Sequence, residues 1–164
     1  MSQAVLMSIH PEWVRKIFHD AKGLEVRKTR PAMEPPFKVY VYQTLPKYGD
    51  WNESDGHVVG EFECKSIIEY QYGTDDARKF EQLAMMTRKM IIEYGKCRPL
   101  YGWVIWNRVV YDKPKKLSEF KRWNRTEDNA PCAHAKALYA PCETCTACNV
   151  TRPPQSWMYV EELK

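Results

Sequence analysis

Four cysteines, Cys132, Cys142, Cys145 and Cys148, crowd one short stretch near the C-terminus as C-x9-C-x2-C-x2-C. Thiols at that density can close a tetrahedral metal site, because each C-x2-C turn aims two sulfurs at a common centre. A structural zinc is the cofactor this pattern suggests. The x9 gap is not a standard zinc-ribbon spacing, so four unrelated free thiols stand as the alternative. Disulfides are the weaker reading. The opening Met1-Ser2-Gln3-Ala4-Val5 lacks the charged start and long apolar core of a secretory signal, which leads us to expect a reducing, cytoplasmic setting. His134, two residues after Cys132, is a replacement ligand if one cysteine does not coordinate.

A second set of residues concerns anions. Net charge is +4 with a pI near 8.7, only a mild bias toward a polyanionic partner, so the placement of charge matters more than its sum. Lys22, Arg27, Lys28 and Arg30 cluster around a short apolar pair. Lys113, Lys115, Lys116, Lys121, Arg122 and Arg125 form a second group, opposed over their span only by Asp112 and Glu119 and interleaved with Phe120 and Trp123. Cations beside aromatic rings suit single-stranded nucleic acid, where the former hold phosphates and the latter stack on bases. A solvated loop with two half-buried aromatics would read the same. Within the first group, Glu25 and Arg27 project to one side of a strand, with Lys22 close by. Such a trio at a cleft can hold a nucleotide, with Lys22 or Arg27 on phosphate and Glu25 accepting from a base edge. A surface ion-pair cluster is the bland alternative.

Other chemistry is poorly represented. His10, His19, His57 and His134 form no H-E-x-x-H and no cysteine pair at a recognised spacing, and the seven glycines build neither a Walker loop nor a dinucleotide fingerprint. Cys64 and Cys97 read as small buried or boundary residues. No apolar run is long enough to cross a bilayer as a helix.

These residues must be positioned by a modest scaffold. A chain of 164 residues, 44% hydrophobic, supports one good core, so a single domain over residues 1–164 is expected. Val5–Ile9 reads as a strand ending at His10-Pro11. Pro11 then opens an amphipathic helix of about three turns through Trp13, Val14, Ile17, Phe18 and Ala21, stopped by Gly23. Leu24–Arg27 alternates as a half-buried strand, and Phe37–Tyr42 follows as another. Val58–Lys65 keeps a period of two, with Gly60 marking a bulge or close backbone approach. Thr74 caps one long helix carrying Phe80, Leu83, Ala84, Thr87, Ile91 and Tyr94 to a stop at Gly95. Leu100–Tyr111 is a strand with both faces covered, Trp103 and Ile105 on one and Val104 and Trp106 on the other. Residues 118–152 lack apolar periodicity and form an insertion that metal would order. The fold class is α+β, few helices around a small, strongly bent sheet.

Several of these segments carry a family likeness. Met7-Ser8-Ile9-His10-Pro11-Glu12-Trp13, Lys22-Gly23-Leu24-Glu25-Val26-Arg27-Lys28-Thr29-Arg30-Pro31, Val59-Gly60-Glu61-Phe62 and Tyr101-Gly102-Trp103-Val104-Ile105 resemble the ASCH domain of the PUA-like superfamily. Tyr111–Leu117 and Arg152–Trp157 resemble a subset common in bacteria and their phages. The resemblance implies a small PUA-like β-barrel flanked by helices, here with a Cys-rich loop insertion, that binds RNA or modified nucleosides. It favours Lys22, Glu25, Arg27 and Lys28 as nucleotide-binding residues; Lys115, Lys116, Lys121, Arg122 and Trp123 join them as candidates on the basic and aromatic pattern of their own segment. Some relatives are amidohydrolases that deacetylate acetylcytidine with a lysine, a threonine and a glutamate. Lys22 matches the lysine, Glu25 stands where the threonine would be, and no acid occurs near Ala84 where the glutamate should fall. A non-catalytic RNA- or nucleotide-binding module is therefore the leading expectation. A hydrolase on a modified nucleoside or RNA, with Lys22 and Glu25 as catalytic candidates, comes second, and a protein-interaction adaptor using the zinc loop third.

Overall fold

The computed structural model describes residues 2–19, 22–49, 51–96, 98–123 and 148–163. The first strand, β1 (Gln3–Ile9), is apolar on both faces because it lies inside the sheet: Val5, Met7 and Ile9 enter one core and Ala4 and Leu6 a second. Pro11 opens α1 (Pro11–Phe18), whose Val14 and Ile17 are buried against the first core. This helix is shorter than the periodicity predicts. Beyond Phe18 the chain must turn onto the sheet, and it does so by bonding Lys22 N to Lys16 O (2.9 Å), Gly23 N to Leu83 O (2.8 Å) and Ile105 N to Gly23 O (2.9 Å). A Cβ on Gly23 would lie 3.1 Å from the Leu83 side chain, so the approach is close there.

Next come β2 (Leu24–Arg27), β3 (Phe37–Gln43) and β4 (Val58–Glu69). All four residues of β2 are buried, which corrects the half-buried expectation. Leu24 and Val26 pack under the helices that follow, and the alternate residues Glu25 and Arg27 face a cleft. Gly60 in β4 is a close approach as expected: an added Cβ would collide with Val109 O and meet Phe18 Cζ at 2.8 Å.

The single long helix of the sequence reading is two helices, α2 (Asp75–Ala84) and α3 (Arg88–Gly95). Thr74 caps the first as predicted, accepting from Ala77 N. The break follows from Met85, held at φ 54°, and from Thr87, whose hydroxyl caps α3 by accepting from Met90 N. Then β5 (Tyr101–Lys115) runs the length of the sheet. Trp103 and Ile105 are buried, but Trp106 is 51% exposed, so both faces are covered only along the first part of the strand. A short 3-10 turn at Leu117–Glu119 leads to Phe120, and β6 (Trp157–Glu161) closes the chain.

The six strands form one curled, mixed sheet in the order β2-β5-β4-β3-β1-β6, with β1 and β3 parallel and the other neighbours antiparallel. With three helices among the described residues it is an α+β fold. The sheet is open: among the described residues no backbone ladder joins β2 to β6. Side chains bridge the gap instead. Arg27 on β2 reaches Ser8 O and Ser156, Trp157 Nε1 donates to Thr29 Oγ1 at 3.0 Å, and Ala32 N donates to Tyr159 Oη at 2.8 Å.

Candidate functional site

The cleft is built where β2 meets the end of β1. It has a volume of about 510 Å³ and is lined by the trio Lys22, Glu25 and Arg27, by Trp13 from α1, Tyr94 from α3 and the Pro153-Pro154-Gln155 segment, among others. The alternation of β2 sends Glu25 and Arg27 into it, and the turn at residues 22–23 adds Lys22. Lys22 is 1% exposed, Glu25 6% and Arg27 7%. The trio is therefore buried instead of forming a surface ion-pair cluster, and three charges this deep are placed against a large desolvation penalty.

They are tightly interconnected. Lys22 Nζ lies 3.1 Å from Glu25 Oε2, and Arg27 Nη2 lies 2.9 Å from Glu25 Oε1. Lys22 Nζ also donates to Leu24 O, and Arg27 Nη2 to Ser8 O at 2.9 Å. Arg27 Nη1 makes only long contacts with Ser156, 3.4 Å to O and 3.3 Å to Oγ, and Arg27 Nε is buried without an acceptor. Burial pulls the Lys22 ammonium below its ordinary value, more than Glu25 restores. For Glu25, burial works to raise the carboxyl, but the charges of Lys22 and Arg27 and the hydrogen bonds they make outweigh it and hold the group below the usual carboxylate range. The net shift of Glu25 is downward, opposite to the upward shift that a general-base role would call for.

Around the trio the walls are aromatic. Lys22 Nζ lies 5.2 Å and Lys16 Nζ 4.1 Å from the centre of the Trp13 ring, and Lys28 Nζ lies 4.8 Å from that of Tyr94. The Arg152–Trp157 segment is pinned as a wall by Ser8, whose Oγ donates to Pro154 O at 2.7 Å and whose N donates to Ser156 O at 3.0 Å. His10 Nδ1 sits 3.1 Å from Thr44 Oγ1 at another edge. Sequence reading assigned Trp13 and Tyr94 to apolar helix faces and Tyr42 to a strand. Nothing in helical spacing separates a core aromatic from one that walls a cleft.

The second basic group lies elsewhere. Lys115 ends β5 opposite Val58, Lys116 opens the 3-10 turn, Lys121 bridges to Asn149 and Arg122 to Val160, and Trp123 N donates to Tyr159 O at 3.2 Å. None of these residues lines the cleft. Phe120, read as a stacking aromatic, belongs to the core: it is fully buried and meets Tyr40 edge-on with ring centres 4.9 Å apart. Cys132, Cys142 and Cys145, with His134, fall outside the described residues. Cys148 is buried, two residues before Val150, which packs with Phe120 in the second core. Cys64 is buried, and that burial pushes its thiol pKa up to about 12.

No sequence-family model matches the chain, and no curated protein matches it. Solved structures do. The ASCH protein of Zymomonas mobilis matches with a TM-score of 0.63 at 14% identity, over 97% of this chain and 88% of that one. A tyrosine-to-phenylalanine variant and a serine-to-alanine variant of the same protein match with TM-scores of 0.61, each at 14% identity over 97% of this chain and over 91% and 89% of theirs. The likeness at that identity is one of fold: this chain has the ASCH fold.

Proposed function

We propose that this protein is a non-catalytic RNA- or nucleotide-binding module of the ASCH, PUA-like kind, and that the cleft is its binding site. The observation that carries the reading is the buried trio: two cations and one carboxylate leave a positive charge at the floor of a cavity with aromatic walls. A nucleotide supplies the complement, an anion for the floor and a flat face for Trp13 or Tyr94. The fold likeness to ASCH proteins supports the assignment, and the Cys-rich segment is proposed as a structural zinc loop of the bacterial and phage subset. Binding of short RNA and DNA oligomers at two salt concentrations tests it. Affinity should fall steeply with salt, and Lys22→Met should lower it roughly tenfold or more. Absence of binding to any oligomer at low salt would refute the proposal, and turnover of an N-acetylated nucleoside or of RNA in the same samples would refute its non-catalytic part.

A further inference from the structure

We infer that the floor of the cleft seats one internal phosphodiester of a nucleic-acid strand, held by Lys22 and Arg27, with Glu25 acting as a positioning residue that does not touch the ligand. The inference rests on the nucleic-acid reading above and narrows it from nucleotide or strand to strand.

Hydrogen-bond accounting is the first argument. Lys22 has three N–H bonds and two acceptors, Leu24 O and Glu25 Oε2. Arg27 spends Nη2 on Ser8 O and Glu25 Oε1, stretches Nη1 to Ser156, and leaves Nε buried with no acceptor. Both carboxylate oxygens of Glu25 are taken by cations. Each Glu25 oxygen already accepts from a cation and Arg27 Nε is closed off from the cavity, so what the floor can still offer a ligand is the third N–H of Lys22 and the weakly held Nη1 of Arg27. It fits a group that only accepts, which a phosphate is and a base edge in general is not.

Charge is the second. Lys22 and Arg27 against Glu25 give one net positive charge, and His10, Tyr42 and Tyr94, which also line the cavity, contribute none when neutral. A buried residual charge is best met by one opposite charge. A phosphodiester carries a single negative charge, whereas a terminal phosphate carries nearly two at neutral pH. Position is the third argument. Lys16 and Lys28 do not line the cavity but stand over the Trp13 and Tyr94 rings of its wall, where they would meet the phosphates on either side of a seated linkage as the strand leaves the cleft.

The probe is a uridine tetranucleotide without terminal phosphates, with its linkages replaced one at a time by the neutral methylphosphonate. Replacement at one linkage should weaken binding roughly tenfold or more, and at the others several-fold less; Lys22→Met should level the series. Equal affinity for all the analogues, or uridine 5′-monophosphate binding as tightly as the tetranucleotide, would overturn the seat while leaving the nucleic-acid reading intact. Failure of the unmodified tetranucleotide and of longer RNA and DNA to bind would remove both. Glu25→Gln supplies a readout that a merely structural role would not move. With its floor at two positive charges, the variant should shift preference toward a terminal phosphate over an internal one by about tenfold, and an unchanged ratio would overturn the positioning role. The methylphosphonate series uses the wild-type protein and decides the matter even if that variant does not fold.

Discussion

Removing the charge of Glu25 should cost far more stability than removing that of Lys22, although the two groups touch. Glu25→Gln leaves two cations nine-tenths buried with no anion between them, and breaking a buried pair from one side typically costs about 3–5 kcal/mol. Lys22→Met is different. Glu25 keeps Arg27 at 2.9 Å, so the carboxylate stays paired, and the variant loses an ammonium whose burial already drags its pKa down. The lost hydrogen bond and the relieved desolvation oppose each other, so the net change should stay within about 2 kcal/mol of wild type in either direction. For a chain of this size the Glu25 change corresponds to roughly 6–20 °C in Tm. Urea unfolding followed by tryptophan fluorescence gives both values. The sign with pH is a further check: the folded carboxyl titrates below its ordinary value of 4.5, so its contribution is complete above 4.5 and is lost as pH falls through the lower folded value. The gap between wild type and Glu25→Gln should therefore close in acid. A Glu25→Gln protein within about 1 kcal/mol of wild type at pH 7, or one less affected than Lys22→Met, would refute the claim that the carboxylate holds this cleft together.

Three other outcomes are expected. Protein purified without chelator should carry about one equivalent of zinc, Cys145→Ser should lower it sharply, and most of the near-UV signal should persist, because the first and third buried clusters draw no residue from 118–152, while Phe120 and Val150 belong to the second; zinc-free protein that is reduced and soluble would remove the site. Lys115→Ala with Lys116→Ala should reduce the salt slope of nucleic-acid binding by up to about two units without changing which methylphosphonate linkage matters, since neither residue lines the cleft. Gly60→Ala should destabilise by roughly 1–3 kcal/mol in chemical denaturation, because the new methyl would meet a backbone carbonyl and the Phe18 ring.

Element type was legible wherever one period ran unopposed. The strand at Phe37–Gln43, the cap at Thr74 and the close approach at Gly60 all follow from local chemistry, and all are observed. Boundaries were lost where tertiary bonds overrode the local pattern. The apolar stripe of the first helix continues to Ala21, but the chain leaves it at Phe18 because the backbone of residues 22 and 23 is needed at Lys16, Leu83 and Ile105. Thr87 sits at helical spacing and still starts a new helix, because its hydroxyl satisfies a backbone N–H as well as its methyl fills space.

The site was half legible for a related reason. Alternation along β2 places Glu25 and Arg27 on one face whatever surrounds them, so their convergence followed from four residues. Their burial did not. In a strand with water on one side, a charged face is the solvated one, and L-E-V-R satisfies that rule. Here it is violated because the open edge of the curled sheet brings β1 and the Arg152–Trp157 segment over the charged face. Arg27 must then find its acceptors in Ser8 and Ser156, which lie far from it in sequence. No local pattern can announce contacts of that range. What the sequence does contain is a mutually neutralising order, cation, anion, cation, that allows the face to be buried at all. With Glu25 apolar, two like charges would be left under cover, and with Arg27 apolar the bridge from β2 to β1 and Ser156 would be lost. The same three residues thus help hold the curl of the open sheet and leave a single positive charge facing the cleft.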